Sequence, residues 1–203
     1  MSAESQLTNF DDDLELRSDV RALGDLLGQS LVRQEGPSLL DLVEKVRKAV
    51  REGNGEVELQ RISVEQSVQL VRAFSIYFYL ANIAEQVHRS RVLDKQRAGK
   101  GSWISQAVEK ISNEQISKEE LALWLKDFSI RPVFTAHPTE AARRSILSKL
   151  DKIATLLDQP TNSIRNARLS ESIDLLWQTD ELRLGRPEPL DEAINALYYI
   201  DDL

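Results

Sequence analysis

The residues with the clearest potential for chemistry lie between positions 131 and 145, where a histidine, a proline and two arginines follow a short apolar run. Residues 133–135, Val-Phe-Thr, favour a β-strand, and Pro138 suits the first position of a helix, where its missing N–H group costs nothing. His137 is therefore predicted at a strand-to-helix turn. In α/β folds catalytic groups gather at the carboxyl ends of strands, and the free N–H groups of a helix start can bind an anion. His137 is thus a candidate catalytic residue, and the alternative is a turn histidine that bonds only to backbone.

Arg143 and Arg144 follow His137 by about two turns if the helix that begins at Pro138 continues through them. Neighbouring residues on a helix point about 100° apart, so the two side chains do not share one planar ligand easily. Three roles stay open. Both arginines can be solvated charges, they can form two walls of a phosphate pocket, or one can face a site while the other pairs with Glu140.

Two further groups are interpreted as structural. His88 is expected near the end of a long helix, where a partly positive imidazole complements the helix dipole. The charged residues at 180–183 are placed in the helix that contains Trp177 and are expected to form a salt-bridge network. No Walker loop, paired-cysteine metal motif, H-E-x-x-H or G-x-S-x-G occurs, so the common nucleotide-binding and hydrolytic classes have no support.

Composition limits the class of protein. The chain has 203 residues, of which 41% are hydrophobic, so it can bury a sizeable core. It has no cysteine, which excludes disulfides, thiolate metal sites and cysteine nucleophiles. Its net charge of −7 argues against general nucleic-acid binding, and no stretch approaches the roughly 20 apolar residues that span a bilayer. We therefore expect a cytoplasmic protein that binds neither nucleic acid nor membranes.

Apolar residues at helical spacing predict a series of amphipathic helices with short polar breaks. The first begins at Leu16 and stops at Gly36-Pro37, and the second begins at Leu39 and stops at residues 53–55. The third starts at residues 63–66, which have the form of a capping box, and its broad apolar face predicts a mostly buried helix. The remaining predicted helices include residues 117–125, 146–157 and 169–177.

Two segments depart from this pattern. Residues 94–102 are polar, contain two glycines and lack periodicity, so they are predicted to form a mobile loop. Residues 191–203 begin a helix that has no closing glycine, proline or basic last turn. In addition, the strand at 133–135 has no visible partner, although its backbone groups require one. We therefore expect that the sequence is cut within a larger protein that supplies the neighbouring strands.

Four segments, in the same order, resemble the phosphoenolpyruvate carboxylase family. Residues 133–145, Val-Phe-Thr-Ala-His-Pro-Thr-Glu-Ala-Ala-Arg-Arg-Ser, resemble the histidine signature of that family. The other similar segments are residues 26–36, residues 72–75 with 80–89, and residues 176–183 with 186–192. The resemblance extends from about Leu16 to the last residue. It implies the amino-terminal fragment of a bacterial-type member of the family.

The fold implied by the resemblance is mainly α. It is the amino-terminal part of an elaborated α/β barrel of the TIM type, with one clear barrel strand near residues 132–136. Residues 1–130 would form an amino-terminal helical region. Residues 131–203 would begin the catalytic barrel with its first strand and the following helices, truncated at residue 203.

The activity implied by the resemblance is that of a cytoplasmic, magnesium-dependent, allosteric lyase, usually a homotetramer. Such an enzyme forms oxaloacetate and phosphate from phosphoenolpyruvate and bicarbonate through carboxyphosphate and enolpyruvate, and this carbon dioxide fixation feeds the tricarboxylic acid cycle. His137 matches the family's catalytic histidine. Arg143 and Arg144 match a basic pair that binds a phosphorylated activator in some members. The family's Mg²⁺ ligands match nothing in these 203 residues, so we expect no metal site here and no activity from this chain alone.

Two other classes of function remain open. A helical module can bind a phosphorylated metabolite through Arg143, Arg144 and the helix start without catalysing a reaction. Alternatively, a helical scaffold can dock its wide apolar faces onto other subunits.

Overall fold

Helices account for all the regular structure in the described part of the chain. The computed structural model describes residues 3–114, 116–131 and 143–180, together with positions 188, 190, 193, 194 and 197. The helices are α1 Ala3–Glu35, α2 Pro37–Arg51, α3 Gly55–Leu59, α4 Val64–Lys100, α5 Trp103–Asn113, α6 Lys118–Lys126, α7 Arg144–Leu157 and α8 Ser163–Trp177. The predicted mainly α character is thus confirmed for these residues. The predicted strand near 132–136 and His137 lie outside them.

The predicted break between α1 and α2 is confirmed. Gly36 has a φ of +87°, in the left-handed region that side chains other than glycine adopt with strain. Pro37 is the first residue of α2, where a proline needs no N–H partner. The chain therefore leaves one helix and enters the next within a single residue.

Serine side chains start three of the helices. The predicted capping box of α4 is present, because the backbone N–H of Gln66 donates to Ser63 Oγ at 3.2 Å and the backbone N–H of Ser63 donates to Gln66 Oε1 at 3.0 Å. The predicted cap at Ser117 is also present, since its Oγ accepts from the backbone N–H of Glu120 at 3.1 Å. Ser102 caps α5 in the same way.

The predicted loop at residues 94–102 is wrong, because α4 continues to Lys100. This part of the helix is polar throughout, so it lacks the apolar periodicity that would reveal a helix, but it is rich in residues of high helix propensity. Asp94 and Arg97 also form an ion pair of 3.4 Å, one turn apart. The helix stops only before Gly101, whose φ is +74°. His88 consequently lies well inside α4 and not near its end.

The described chain divides into two compact units. The first contains residues 1–88 and 142–185, and the second contains residues 89–141 and 186–203. The core of the first unit lies between α1, α2, α7, α8 and the amino-terminal part of α4. Each of these helices contributes apolar side chains that are almost completely buried, among them Leu27, Leu39, Leu80, Ile153 and Ile173.

Within the first unit, one buried cation joins α7 to α8. Arg165, on α8, donates from Nε to the carbonyl of Leu156 at 2.9 Å and from Nη2 to the carbonyl of Leu157 at 3.0 Å. These carbonyls belong to the last turn of α7, and that of Leu156 also accepts from the backbone N–H of Gln159 at 3.2 Å. The guanidinium on α8 therefore caps the carboxyl end of α7.

Helix α4 has two apolar faces, of which only one is covered in the described structure. Its inner face packs into the core through residues such as Ile76 and Leu80. Its outer face carries an apolar row that is largely exposed and that we call the α4 stripe, formed by Val64, Val68, Val71 and Phe78. The expectation of a mostly buried α4 is therefore wrong for this face. None of the described helices combines the length and apolar character needed to cross a membrane.

Candidate functional site

The two candidate arginines stand at the start of α7. Arg143 is the residue before the helix, with an extended backbone (φ −61°, ψ 141°), and Arg144 is the first helical residue. The prediction that both lie about two turns into a helix begun at Pro138 is therefore wrong, because the extended Arg143 interrupts any such helix. His137 and Pro138 lie outside the described residues.

The start of α7 is strongly cationic. No acidic residue occupies its first turn, and Arg143, the residue before it, provides no side-chain cap. A helix amino terminus carries a partial positive charge, which acidic residues in the first turn normally offset. Here the guanidinium groups of Arg143 and Arg144 add to that charge. Chemically, such an arrangement favours anions, including phosphate groups.

Arg143 faces an acidic partner from another part of the chain. Its Nη1 lies 3.8 Å from Oδ2 of Asp180. Asp180 comes after the end of α8 at Trp177, so its predicted place within that helix is wrong. The ion pair therefore joins Arg143, just before α7, to Asp180, shortly after the end of α8. Because Asp180 is largely exposed, the pair contributes little to stability, roughly 1 kcal/mol or less.

The end of α8 is held firmly by α4 and α1. Arg72, on α4, donates from Nη2 to the carbonyl of Trp177 and to that of Thr179, the latter at 3.2 Å. Its guanidinium also lies over the indole of Trp177, 4.9 Å from the ring centroid, in a cation–π contact. The indole N–H of Trp177 donates to Glu35 Oε1 at 2.9 Å. The residues before Asp180 are thus fixed from two helices.

A second contact joins α1 to α8 one turn earlier. Arg33 donates from Nη2 and Nε to the two carboxylate oxygens of Asp174, at 2.8 and 3.2 Å, and from Nη2 to Ser170 Oγ at 2.8 Å. Burial alone would raise the pKa of Asp174. The hydrogen bonds and positive charge of Arg33, with a contribution from Ser30, outweigh burial and hold that pKa below its ordinary value of 3.8. The pair is therefore a charged, two-pronged clamp.

Sequence reasoning did not find these contacts with α8. Arg72 and Trp177 each occur in a segment that carries the family resemblance, but nothing in the sequence indicates that they touch. A half-buried arginine opposite a buried tryptophan becomes recognisable only when α4 and α8 are packed together.

The described residues contain no group of three or more histidine, cysteine, aspartate or glutamate side chains that could hold a metal ion. The described part of the candidate site is the cationic start of α7, tied through Arg143 to the fixed end of α8.

Comparison with known proteins gives one consistent result. The sequence model of the family described as "Phosphoenolpyruvate carboxylase" matches residues 16–203. A phosphoenolpyruvate carboxylase of Roseiflexus castenholzii is 36% identical over 208 residues, which cover 92% of this chain and 22% of the relative.

Two further relatives have the same name. That of Alcanivorax borkumensis is 36% identical over 200 residues, with 88% of this chain and 22% of the relative covered. That of Acinetobacter baylyi is 39% identical over 203 residues, with 89% and 23% covered. The chain thus spans between a fifth and a quarter of the length of these curated relatives.

Proposed function

The chain belongs to the phosphoenolpyruvate carboxylase family, and we propose that it is the amino-terminal part of an enzyme that forms oxaloacetate and phosphate from phosphoenolpyruvate and bicarbonate. The observation that carries this proposal is the continuous family match over residues 16–203, which includes His137, Arg143 and Arg144. The rest of the enzyme would come from polypeptide that the relatives have and that these 203 residues do not contain.

The proposed architecture is the one that the resemblance implies. Residues 1–130 form a helical region, and residues 131–203 begin a catalytic α/β barrel whose first strand lies near 132–136. A strand needs neighbours for its backbone groups, so this division depends on strands supplied elsewhere in the complete enzyme. The proposal includes a cytoplasmic homotetramer and a requirement for Mg²⁺, whose ligands lie outside the described residues.

In the proposed reaction the phosphoryl group of phosphoenolpyruvate passes to bicarbonate, which gives carboxyphosphate and the enolate of pyruvate. Carbon dioxide released from carboxyphosphate is then trapped by the enolate carbon. His137 would take the proton of carboxyphosphate or orient it during carboxylation. An imidazole suits this step because it can accept a proton near neutral pH and bind an anion once protonated.

The role proposed for Arg143 and Arg144 is to hold a phosphorylated ligand of the enzyme. The cationic start of α7 supports this role, because two arginines stand at a helix amino terminus whose first turn contains no acid. The contact of Arg143 with Asp180 would then fix the direction of one guanidinium.

A substitution of His137 tests the catalytic proposal. A suitable complete enzyme is the R. castenholzii relative with its matching region replaced by residues 16–203 of this chain. In this chimera, His137→Asn should reduce oxaloacetate formation at least about a hundredfold, as expected when a proton-transfer group is lost. Binding of phosphoenolpyruvate should stay nearly unchanged.

The matched control is His88→Asn, which alters the other histidine of the chain, on α4. It should leave turnover close to that of the parent chimera. Full turnover by the His137→Asn chimera would show that His137 has no catalytic role.

The cationic helix start also supports a second function, the binding of a phosphorylated metabolite without catalysis. Calorimetry of the 203-residue chain with phosphoenolpyruvate and with sugar phosphates tests it. Saturable binding that disappears in Arg144→Met, together with an inactive chimera, would favour this second function over the first.

A further inference from the structure

The α4 stripe is a regular feature of the helix surface. Its four residues, at positions 64, 68, 71 and 78, recur at intervals of three, four and seven, so they lie along one side of α4. Their exposed fractions are 79, 63, 64 and 61%. On the inner side of the same helix, Ile76 and Leu80 are 4 and 1% exposed.

The stripe differs from ordinary surface chemistry. Single exposed apolar residues are common, but a row that follows one helix face is the pattern by which a helix packs against a partner. Phe78 is a large aromatic side chain, a type enriched at the centres of protein interfaces. The inner face already supplies the contacts that hold α4 in the first unit, so this second face is not needed there.

We propose that the α4 stripe is a docking surface for an apolar helix in the remaining part of the phosphoenolpyruvate carboxylase polypeptide. The inference rests on the proposed function, because it requires the chain to be part of the longer enzyme. The relatives contain more than three quarters of their length outside the matched region, so they have ample polypeptide for such a helix.

The size of the stripe favours an occupant in the same polypeptide over a second copy of this chain. From residue 64 to residue 78 a helix rises about 21 Å, and with a helix diameter of about 10 Å the face covers about 210 Å². A stable interface between separate proteins buries about 800 Å² per partner. A helix linked covalently needs far less area, because its effective concentration is high.

Cysteine labelling tests this inference directly, because the natural chain has no cysteine. Single variants Val68→Cys and Phe78→Cys are prepared in the 203-residue chain and in the R. castenholzii chimera. The rate at which a maleimide labels each site is measured by mass spectrometry of the corresponding peptide and is normalised to the rate in urea. Ile76→Cys, on the buried face of the same helix, is the matched control and should label slowly in both proteins.

The expected result is rapid labelling of positions 68 and 78 in the 203-residue chain and labelling at least about tenfold slower in the chimera, since a covered thiol reacts only after local opening. Equal rates in both proteins would overturn the proposal. Slow labelling of the 203-residue chain would also overturn the proposal. If the labelling rate rises on dilution, the stripe is covered by a second copy of the chain. If the rate does not change on dilution, the stripe is covered by other residues of the same chain.

A second protein for labelling and a separate activity assay complete the experiment. If the chimera does not fold, the cysteine is placed at the position aligned with Phe78 in the unaltered relative, and fast labelling there would equally reject the proposal. Carboxylation is assayed separately, so protection of the stripe in an inactive chimera would argue against the proposed function and leave the docking surface standing.

Discussion

At the scale of single residues, the contact of greatest consequence for stability is that of Arg165 with the end of α7. Its side chain is 7% exposed, and its hydrogen bonds satisfy the carbonyls of Leu156 and Leu157. Loss of a hydrogen bond to a charged donor in a buried place costs free energy, which is why this one side chain matters more than most surface arginines.

We predict that Arg165→Met lowers the free energy of unfolding by about 1–3 kcal/mol, because each of the two carbonyls loses a hydrogen bond to a charged donor while the aliphatic volume is kept. Urea unfolding followed by circular dichroism measures this change. The control is Arg168→Met, which alters an exposed arginine of the same helix and should change stability by less than about 0.5 kcal/mol. Equal effects of the two variants would show that the capping contact contributes nothing.

The clamp between Arg33 and Asp174 predicts a pH dependence. The folded protein lowers the pKa of Asp174, so the clamp stabilises the fold at pH values above the ordinary value of 3.8. That stabilisation is lost as the pH falls through the lower, folded-state pKa, because the carboxylate becomes protonated.

Asp174→Asn should therefore lower the free energy of unfolding by about 1 kcal/mol at neutral pH, and its difference from the parent chain should shrink in strong acid. Urea unfolding of both chains across a pH series provides the measurement. A difference that stays constant at every pH would mean that the charge of Asp174 plays no part.

Prediction from sequence works at this scale when the partners are close along the chain. Ser63 and Gln66 are three residues apart, so their capping box is visible as a pattern, and it is present in the structure. Arg72 and Trp177 are separated by 105 positions. Their contact depends on how α4 packs on α8, and no local pattern contains that information.

At the scale of elements, three helices meet where α8 ends. Arg72 reaches from α4 to two carbonyls at this end, and Glu35 at the end of α1 accepts from the indole of Trp177. The planar guanidinium can donate to two acceptors and stack on a ring at the same time, which an ammonium group cannot do.

We predict that Arg72→Lys lowers the free energy of unfolding by about 1–2 kcal/mol, since the charge is kept but the second hydrogen bond and the stacking are lost. Chemical unfolding is again the measurement. Arg51→Lys, at the exposed end of α2, is the matched control and should have little effect. Equal stability of the parent chain, Arg72→Lys and Arg51→Lys would show that the contacts of Arg72 do not help to hold α8 on α4.

Helix boundaries could be predicted where the sequence contains a strong local signal. Gly36-Pro37 is such a signal, and α1 ends and α2 begins there. Residues 94–100 contain none, because an exposed polar helix has no apolar period, and the predicted loop was wrong. Before α7 a local signal was misleading. Pro138 is a plausible helix start, so a helix was predicted to run from it through Arg143, but the backbone of Arg143 is extended.

At the scale of the whole molecule, the family could be predicted from the sequence and the packing could not. Four short segments identified the family, whose match extends over residues 16–203. The apolar face predicted for α4 is buried, as Leu80 and Ala84 show, but the exposure of a second apolar row on the same helix was not predictable. That exposure depends on how the helices pack, since the core side chains of α4 lie on one face only.

The candidate site shows the same division. Arg143 and Arg144 were singled out from the sequence, but their place at the very start of α7 and the contact with Asp180 appeared only in the structure. His137 stays a prediction that depends on the resemblance, as does the barrel strand that would carry it. Both would be established only if this chain can serve within a complete enzyme.

The most direct test of that central claim is oxaloacetate formation by the chimera in which residues 16–203 replace the matching region of the R. castenholzii relative. The account predicts turnover that requires phosphoenolpyruvate, bicarbonate and Mg²⁺, and none from the 203-residue chain or from the relative without its matching region. A folded chimera that forms no oxaloacetate, or turnover by the 203-residue chain alone, would contradict it.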